Sequence, residues 1–166
     1  MAQNSRGIQT DLVTQSLIDR LVDDEGKHPS TRREAVALLK RSVRRDLEWL
    51  LNTRRNPDAA GSEFPELSKS VFNYGLPDFT AMSVMNNRDR NSLLRSLGDC
   101  ITYFEPRLKH VKVMLRNEPT ATNRTLQFQI DGLLMMDPAP ERISFDTVYQ
   151  MMSGEYQVKG EGQTGT

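Results

Sequence analysis

The spacing of apolar residues changes once along this chain, from a helical period to a period of two. Leu94, Leu97, Ile101 and Phe104 recur every three or four positions, which is the spacing of one buried helix face. From Leu108 onward, apolar and polar residues alternate, as they do in half-buried strands. The pattern predicts an α+β fold, in which N-terminal helices pack on one face of a small antiparallel sheet of three to four strands.

Helical spacing and capping residues predict three helices, which run from Val13 to Val22, from Ser30 or Thr31 to about Thr53, and from Asn86 or Asn87 to Glu105. The period of two predicts three strands and a short fourth, around Val111–Leu115, Leu126–Ile130, Ile143–Thr147 and Tyr156–Val158. These elements fit a single domain over residues 13–158, between a flexible tail of residues 1–12 and a disordered tail of residues 159–166.

The second predicted helix has a main apolar stripe and a further strip on nearly the opposite side. The stripe contains Val36, Leu39, Val43, Leu47 and Leu50. The strip aligns Leu38, Ser42, Arg45 and Trp49, of which Leu38, Arg45 and Trp49 have the large side chains. Because Trp and Arg are favoured interface anchors, these three residues are a candidate interface. The chain folding over the strip, through its first helix or the loop after the second helix, is an equally good interpretation.

Two irregular segments are predicted between the second and third helices. Residues 55–69 contain Asn56-Pro57-Asp58 and Phe64-Pro65, which are turn signals, so they predict a surface loop inside the domain. The motif Asn73-Tyr74-Gly75-Leu76-Pro77-Asp78 favours a packed turn over a partner-binding loop. Gly75 there would permit a positive φ or a close backbone approach.

A charged pair is predicted where the last helix gives way to the first strand. Pro106 ends the helix and pushes Glu105 toward an extended conformation. Side chains two positions apart on an extended segment point the same way, so Glu105 and Arg107 are expected to project together. Such a pair can hold a neighbouring segment, bind a partner or take part in chemistry.

Composition narrows the function classes. Lys plus Arg and Asp plus Glu both total 22, so no overall field attracts nucleic acid. Residues 27–55 nevertheless hold nine Lys and Arg against three Asp and Glu, which indicates a solvated basic face or a contact with an acidic partner. Cys100 lies in the helical stripe region without a disulfide partner, so a small buried apolar residue is expected there. No signal or membrane-spanning run is present, and a cytoplasmic protein without membrane insertion is expected. His28 and His110 lack metal-ligand spacing, and no cofactor motif occurs.

Three short motifs in order resemble a known family. Leu50-Leu51-Asn52-Thr53-Arg54, Asn73-Tyr74-Gly75-Leu76-Pro77-Asp78 and Glu105-Pro106-Arg107 resemble the baseplate wedge subunits of contractile injection machines. Most similar is the TssE family of type VI secretion baseplates, related to phage tail "lysozyme-like" proteins. The resemblance implies a non-enzymatic assembly protein that joins wedge subunits and supports sheath assembly, docked through the baseplate to the inner-membrane secretion complex.

The resemblance also implies partners. These are wedge subunits of the TssF, TssG and TssK type and sheath subunits of the TssB and TssC type, with Glu105, Pro106 and Arg107 as the partner-binding motif. A strand edge between Leu108 and Met152 is expected to pair with sheath strands.

The alternative is a peptidoglycan glycoside hydrolase that uses Glu105. Such enzymes need two carboxyl groups across a cleft, one of them protonated. Arg107 would instead stabilise the charged form of Glu105. No spacing selects a second carboxylate among Asp46, Glu48, Asp131 and Asp146, so no catalytic residue is assigned. A small binding adaptor is a third, weaker interpretation, suggested by the basic helix and Trp49.

Overall fold

The computed structural model describes residues 16–22, 31–57, 63–79, 85–117 and 125–160. The chain divides into two compact units, Met1–Ser42 and Val43–Thr166, and the boundary falls within a helix. The predicted tail of residues 1–12 lies outside the described residues, as do residues 161–166 of the predicted C-terminal tail. The limits of the single domain predicted from the sequence therefore stay a prediction.

The first unit contains α1 (Leu17–Val22) and the first half of α2 (Arg32–Asn52). Thr31 and Glu34 begin α2 with a capping box, since each backbone N–H donates to the other residue's side chain. Ala35 and Leu39 are buried on α2. Ile18 and Leu21 of α1 are exposed, so the apolar face predicted for this helix is not buried at these positions.

The second unit holds the remaining elements, which are α3 (Pro65–Ser68), a 3-10 turn (Val71–Asn73), α4 (Asn87–Phe104), β1 (Leu108–Leu115), β2 (Thr125–Leu134), β3 (Glu141–Gln150) and β4 (Glu155–Lys159). The predicted α+β class is confirmed, with helices followed by a four-stranded antiparallel sheet. Asn86 caps α4 through its side chain, which accepts from the Arg88 N–H. The α3 helix falls inside the loop predicted over residues 55–69.

The sheet is a simple meander in the order β1-β2-β3-β4. Register places Val113, Ile130 and Phe145 side by side, and Thr147 beside Val158, so these side chains share one face. That face is largely buried, and α4 packs against β1. Buried positions on the second half of α2 and on α4 complete the core of this unit; they are Val43, Leu47, Leu50, Leu51, Leu93, Leu97, Cys100 and Ile101.

The two edges of the sheet differ. The side chain of Asn52, the last residue of α2, bonds both backbone groups of Tyr156 on β4: its Nδ2 donates to the carbonyl at 2.8 Å and its Oδ1 accepts from the N–H at 2.9 Å. Backbone groups of an edge strand alternate between the sheet and the outside, so Asn52 takes the place of a fifth strand there. β4 reaches Lys159, one residue beyond the predicted end.

Candidate functional site

The Glu105-Pro106-Arg107 motif forms a tight corner between α4 and β1. The Glu105 N–H donates to the Ile101 carbonyl at 2.8 Å and closes the last helical turn. The Leu108 N–H donates to the Glu105 carbonyl at 3.1 Å, which makes a β-turn with Pro106 in its second position. The predicted helix end is thus confirmed, and the proline ring fixes the backbone from which both charged side chains start.

Glu105 and Arg107 bind each other through two parallel hydrogen bonds. Arg107 Nε donates to Glu105 Oε1 at 2.6 Å, and Nη2 donates to Oε2. The Arg107 backbone N–H also donates to Oε1, at 3.2 Å. Glu105 is only 4% exposed, so this bidentate arrangement compensates a buried carboxylate.

A second carboxylate reaches the same arginine from α2. Arg107 Nη2 donates to Asp46 Oδ2 at 2.6 Å, and Arg45 binds Oδ1 of the same aspartate through Nε at 3.1 Å and Nη2 at 2.9 Å. We call Arg45, Asp46, Glu105 and Arg107 the charge network. It contains two acids and two bases and joins α2 to the corner between α4 and β1.

The surroundings keep Arg107 charged. Burial lowers the pKa of the guanidinium, but the hydrogen bonds and charges of Glu105 and then Asp46 raise it by more, so the pKa lies above its ordinary value. The pKa of Tyr74 also lies above its ordinary value. Burial raises the pKa of its phenol, and the charges of Asp46, Cys100 and Glu105 add to the effect.

Arg45 also contacts an exposed aromatic residue. Its guanidinium carbon lies 4.8 Å from the ring centroid of Trp49, within cation–π range. Trp49 is 51% exposed. Of the strip predicted on α2, Leu38 is half-buried in the first unit, whereas Arg45 and Trp49 lie in the second. A connected path therefore leads from buried Glu105 to exposed Trp49.

The Asn73–Asp78 motif lies against the end of α2. Leu76 N–H donates to the Thr53 carbonyl, and Arg55 N–H donates to the Leu76 carbonyl, both at 2.8 Å. The rings of Tyr74 and Phe104, the last residue of α4, form a T-shaped pair at a centroid distance of 5.2 Å. The motif is thus a packed turn that supports the corner carrying Glu105.

The arrangement does not resemble a glycosidase site. The carboxylates of Asp46 and Glu105 bind one guanidinium between them, where a hydrolase needs space for a sugar. Asp131 bonds Ser144 on the sheet, and Asp146 pairs with Arg116. The backbone carbonyl of Glu48 accepts a hydrogen bond from Asn52 Nδ2. No geometry on the described residues opposes a second carboxyl group to Glu105 across a cleft.

The sequence pattern identified Glu105 and Arg107 as a pair but did not identify Asp46 as their partner. Asp46 is 61 positions from Arg107, so no periodicity links them. In the sequence, Asp46 is only one of three acidic residues within the basic stretch of residues 27–55, which does not single it out.

Comparison with known families places this geometry in context. The family model described as baseplate wedge protein gp25 matches residues 37–139, which include the charge network and the Asn73–Asp78 motif. The chain belongs to this family. The predicted resemblance to baseplate wedge subunits is thereby confirmed, and gp25-family proteins are structural components of baseplates. No curated protein matches the chain.

As a gp25-family member, the chain is expected to associate with other baseplate components. Along the described residues, no helix combines the length and apolar character needed to cross a membrane.

Proposed function

We propose that this gp25-family chain is a non-enzymatic wedge subunit of a type VI secretion baseplate. It joins the other wedge subunits and provides the platform on which the contractile sheath begins to assemble. In this role it works in the cytoplasm, docked through the baseplate to the inner-membrane secretion complex. The family match and the three motifs that resemble the TssE family support this assignment.

The observation that carries the proposal is the series of contacts that leads from buried Glu105, through the charge network, to exposed Trp49. Glu105 is too buried to meet a partner, so its role is to orient Arg107. Arg107 and Arg45 have side chains 26% and 31% exposed, and Trp49 is half exposed. An aromatic side chain with ordered arginines beside it is the composition of an interface hot spot. The wedge contact therefore centres on Trp49, Arg45, Arg107 and exposed Pro106.

The sheath contact is assigned to the outer edge of β1. Arg116 N–H donates to the Gln127 carbonyl, so Arg116, Met114 and Lys112 face β2, while the backbone groups of Val113 and Leu115 point outward. A strand from a sheath subunit can pair with these groups. The opposite edge is closed by Asn52 at Tyr156.

The proposal is tested by recovering partners on tagged variants in cells that carry the type VI system. Trp49→Ala lowers recovery of wedge subunits of the TssF, TssG and TssK type by at least about tenfold. Phe64→Ala is the matched control, because Phe64 is a 59% exposed aromatic residue on another element. Unchanged wedge recovery with Trp49→Ala would contradict the wedge contact.

The same experiment tests the edge of the sheet. Val113→Pro removes an outward N–H from β1 without removing a donor to β2, so recovery of sheath subunits of the TssB and TssC type falls. Val158→Pro removes an outward N–H from β4 and leaves sheath recovery unchanged. Equal losses from the two proline variants, or a greater loss from the β4 variant, would rule out the β1 edge.

A further inference from the structure

The polar face of the sheet contains an open groove of about 610 Å³ at an irregularity in β1. Lys109 pairs with Leu133 and Lys112 pairs with Asp131, so two residues of β1, His110 and Val111, oppose the single Gly132 of β2. This is a β-bulge, and His110 adopts a φ of 54° within it. β-Bulges redirect side chains and are common next to functional surfaces, so the charges around this bulge indicate what kind of ligand could bind there.

Glycine is suited to its position opposite the bulge. A Cβ on Gly132 would lie 3.4 Å from the Lys109 carbonyl oxygen, at the short limit of ordinary van der Waals contact. That Cβ would also lie within 4 Å of the side chain of buried Leu108, so the glycine relieves crowding on the buried side of the sheet, whereas the charged rim of the groove lies on the opposite, polar face. We call this groove the basic groove, and its polar rim consists of His110, Lys112, Asp131, Arg142 and Ser144.

Positive charge dominates the rim. The side chains of His110, Lys112 and Arg142 are exposed. The acidic member, Asp131, already accepts hydrogen bonds on Oδ1 from Ser144 Oγ at 2.7 Å and from Gln129 Nε2 at 2.8 Å. Among the described residues, neither Lys112 nor Arg142 forms an ion pair. The groove is thus locally cationic on a chain whose total charge is zero.

The size and lining of the groove limit the class of ligand that it can bind. A free phosphate is far smaller than a groove of this volume. Single-stranded nucleic acid is bound on aromatic platforms, and the lining has no Phe, Tyr or Trp. Register places Lys112 on β1 and Arg142 on β3, on either side of β2, so carboxylates on different residues of one polypeptide segment can pair with both cations.

We propose that the basic groove binds an acidic segment of a partner protein, whose Asp or Glu carboxylates pair with Lys112 and Arg142. His110, exposed at the bulge, adds a hydrogen-bond donor at the side of the groove. The groove uses side chains on the polar face of the sheet, whereas the proposed wedge contact centres on Trp49 and the proposed sheath contact uses outward backbone groups of β1.

Fluorescence anisotropy with a labelled peptide tests this proposal on the full chain. The probe is a peptide of alternating glutamate and serine, and its lysine–serine counterpart is the negative probe. The chain binds the acidic probe saturably, and the double variant Lys112→Gln/Arg142→Gln weakens binding at least about fivefold. Both substitutions are at exposed positions, so the circular dichroism spectrum stays that of the wild type.

A second double variant separates the groove from general charge. Lys69→Gln/Arg88→Gln also removes one exposed Lys and one exposed Arg, but from α3's end and α4's first turn. It changes the affinity less than about twofold. Equal weakening by both variants, absence of saturable binding, or tighter groove-dependent binding of inorganic phosphate or a single-stranded oligonucleotide would overturn the proposal.

Discussion

Gly75 occupies a position that no other residue type fits. Its φ is 103°, and a Cβ there would lie 2.3 Å from the Thr53 carbonyl oxygen. That oxygen accepts the hydrogen bond from Leu76, so it cannot move away without losing the bridge between the two segments. The sequence predicted that Gly75 allows a positive φ or a close backbone approach, and the structure has both.

Substitution of Gly75 is therefore expected to be costly. Gly75→Ala lowers the free energy of unfolding by about 2–4 kcal/mol, because backbone strain and a steric clash add together. Gly154→Ala is the control, since Gly154 has a φ of 73° but nothing within 4 Å of its Cβ position. Gly154→Ala costs about 1 kcal/mol, because only the left-handed backbone is strained there. Urea denaturation measures both, and equal losses would show that the clash with Thr53 is relieved at no cost.

Cys100 shows a residue whose environment the sequence did predict. Its place in a helical stripe, without a disulfide partner, favoured a small buried apolar residue, and it is 7% exposed. Burial raises the pKa of its thiol to about 12. The thiol therefore stays protonated and unreactive at neutral pH.

At the scale of elements, the order of helices and strands could be predicted because each long element has its own apolar period. The starts of α2 and α4 could be narrowed to two residues each from capping chemistry. The bulge in β1 could not be predicted, since alternation alone does not show which strand gains a residue. The contact of Asn52 with Tyr156 joins residues 104 positions apart, which no local pattern reveals.

That contact controls the β4 edge. Asn52→Ala leaves both backbone groups of Tyr156 without their protein partner, so the free energy of unfolding falls by about 1–3 kcal/mol. Hydrogen exchange at the Tyr156 amide becomes faster. Asn91→Ala, at an exposed position on α4, changes stability by less than about 0.5 kcal/mol. Unaltered exchange at Tyr156 in the Asn52 variant would contradict this role.

At the scale of the whole molecule, the charge network connects three elements of the second unit. Arg107 follows α4, precedes β1 and binds Asp46 of α2. From the sequence alone, an acid and a base two positions apart predicted a charged pair that could hold a neighbouring segment. The sequence did not identify which residue the pair contacts. The target is a long-range contact within the chain, and it becomes visible only when α2 is placed beside the corner.

Removal of Arg107 is expected to weaken this unit. Arg107→Ala lowers the free energy of unfolding by about 2–5 kcal/mol, because Glu105 is left buried without its counterion. Arg116→Ala is the matched control, since Arg116 pairs with Asp146 at 3.5 Å and both side chains are more than a third exposed. That change costs at most about 1 kcal/mol. Similar losses for the two arginines in urea denaturation would mean that the network adds no more than a surface pair.

Because Asn52 occupies backbone groups of β4, the two edges of the sheet differ in how readily they accept another strand. A template that accepts an additional strand on one side only cannot extend both ways. If a polymer starts on this protein, its first subunit meets a surface with a defined front and back. The direction in which the polymer grows would then be set by the side chain of Asn52 before further subunits are added.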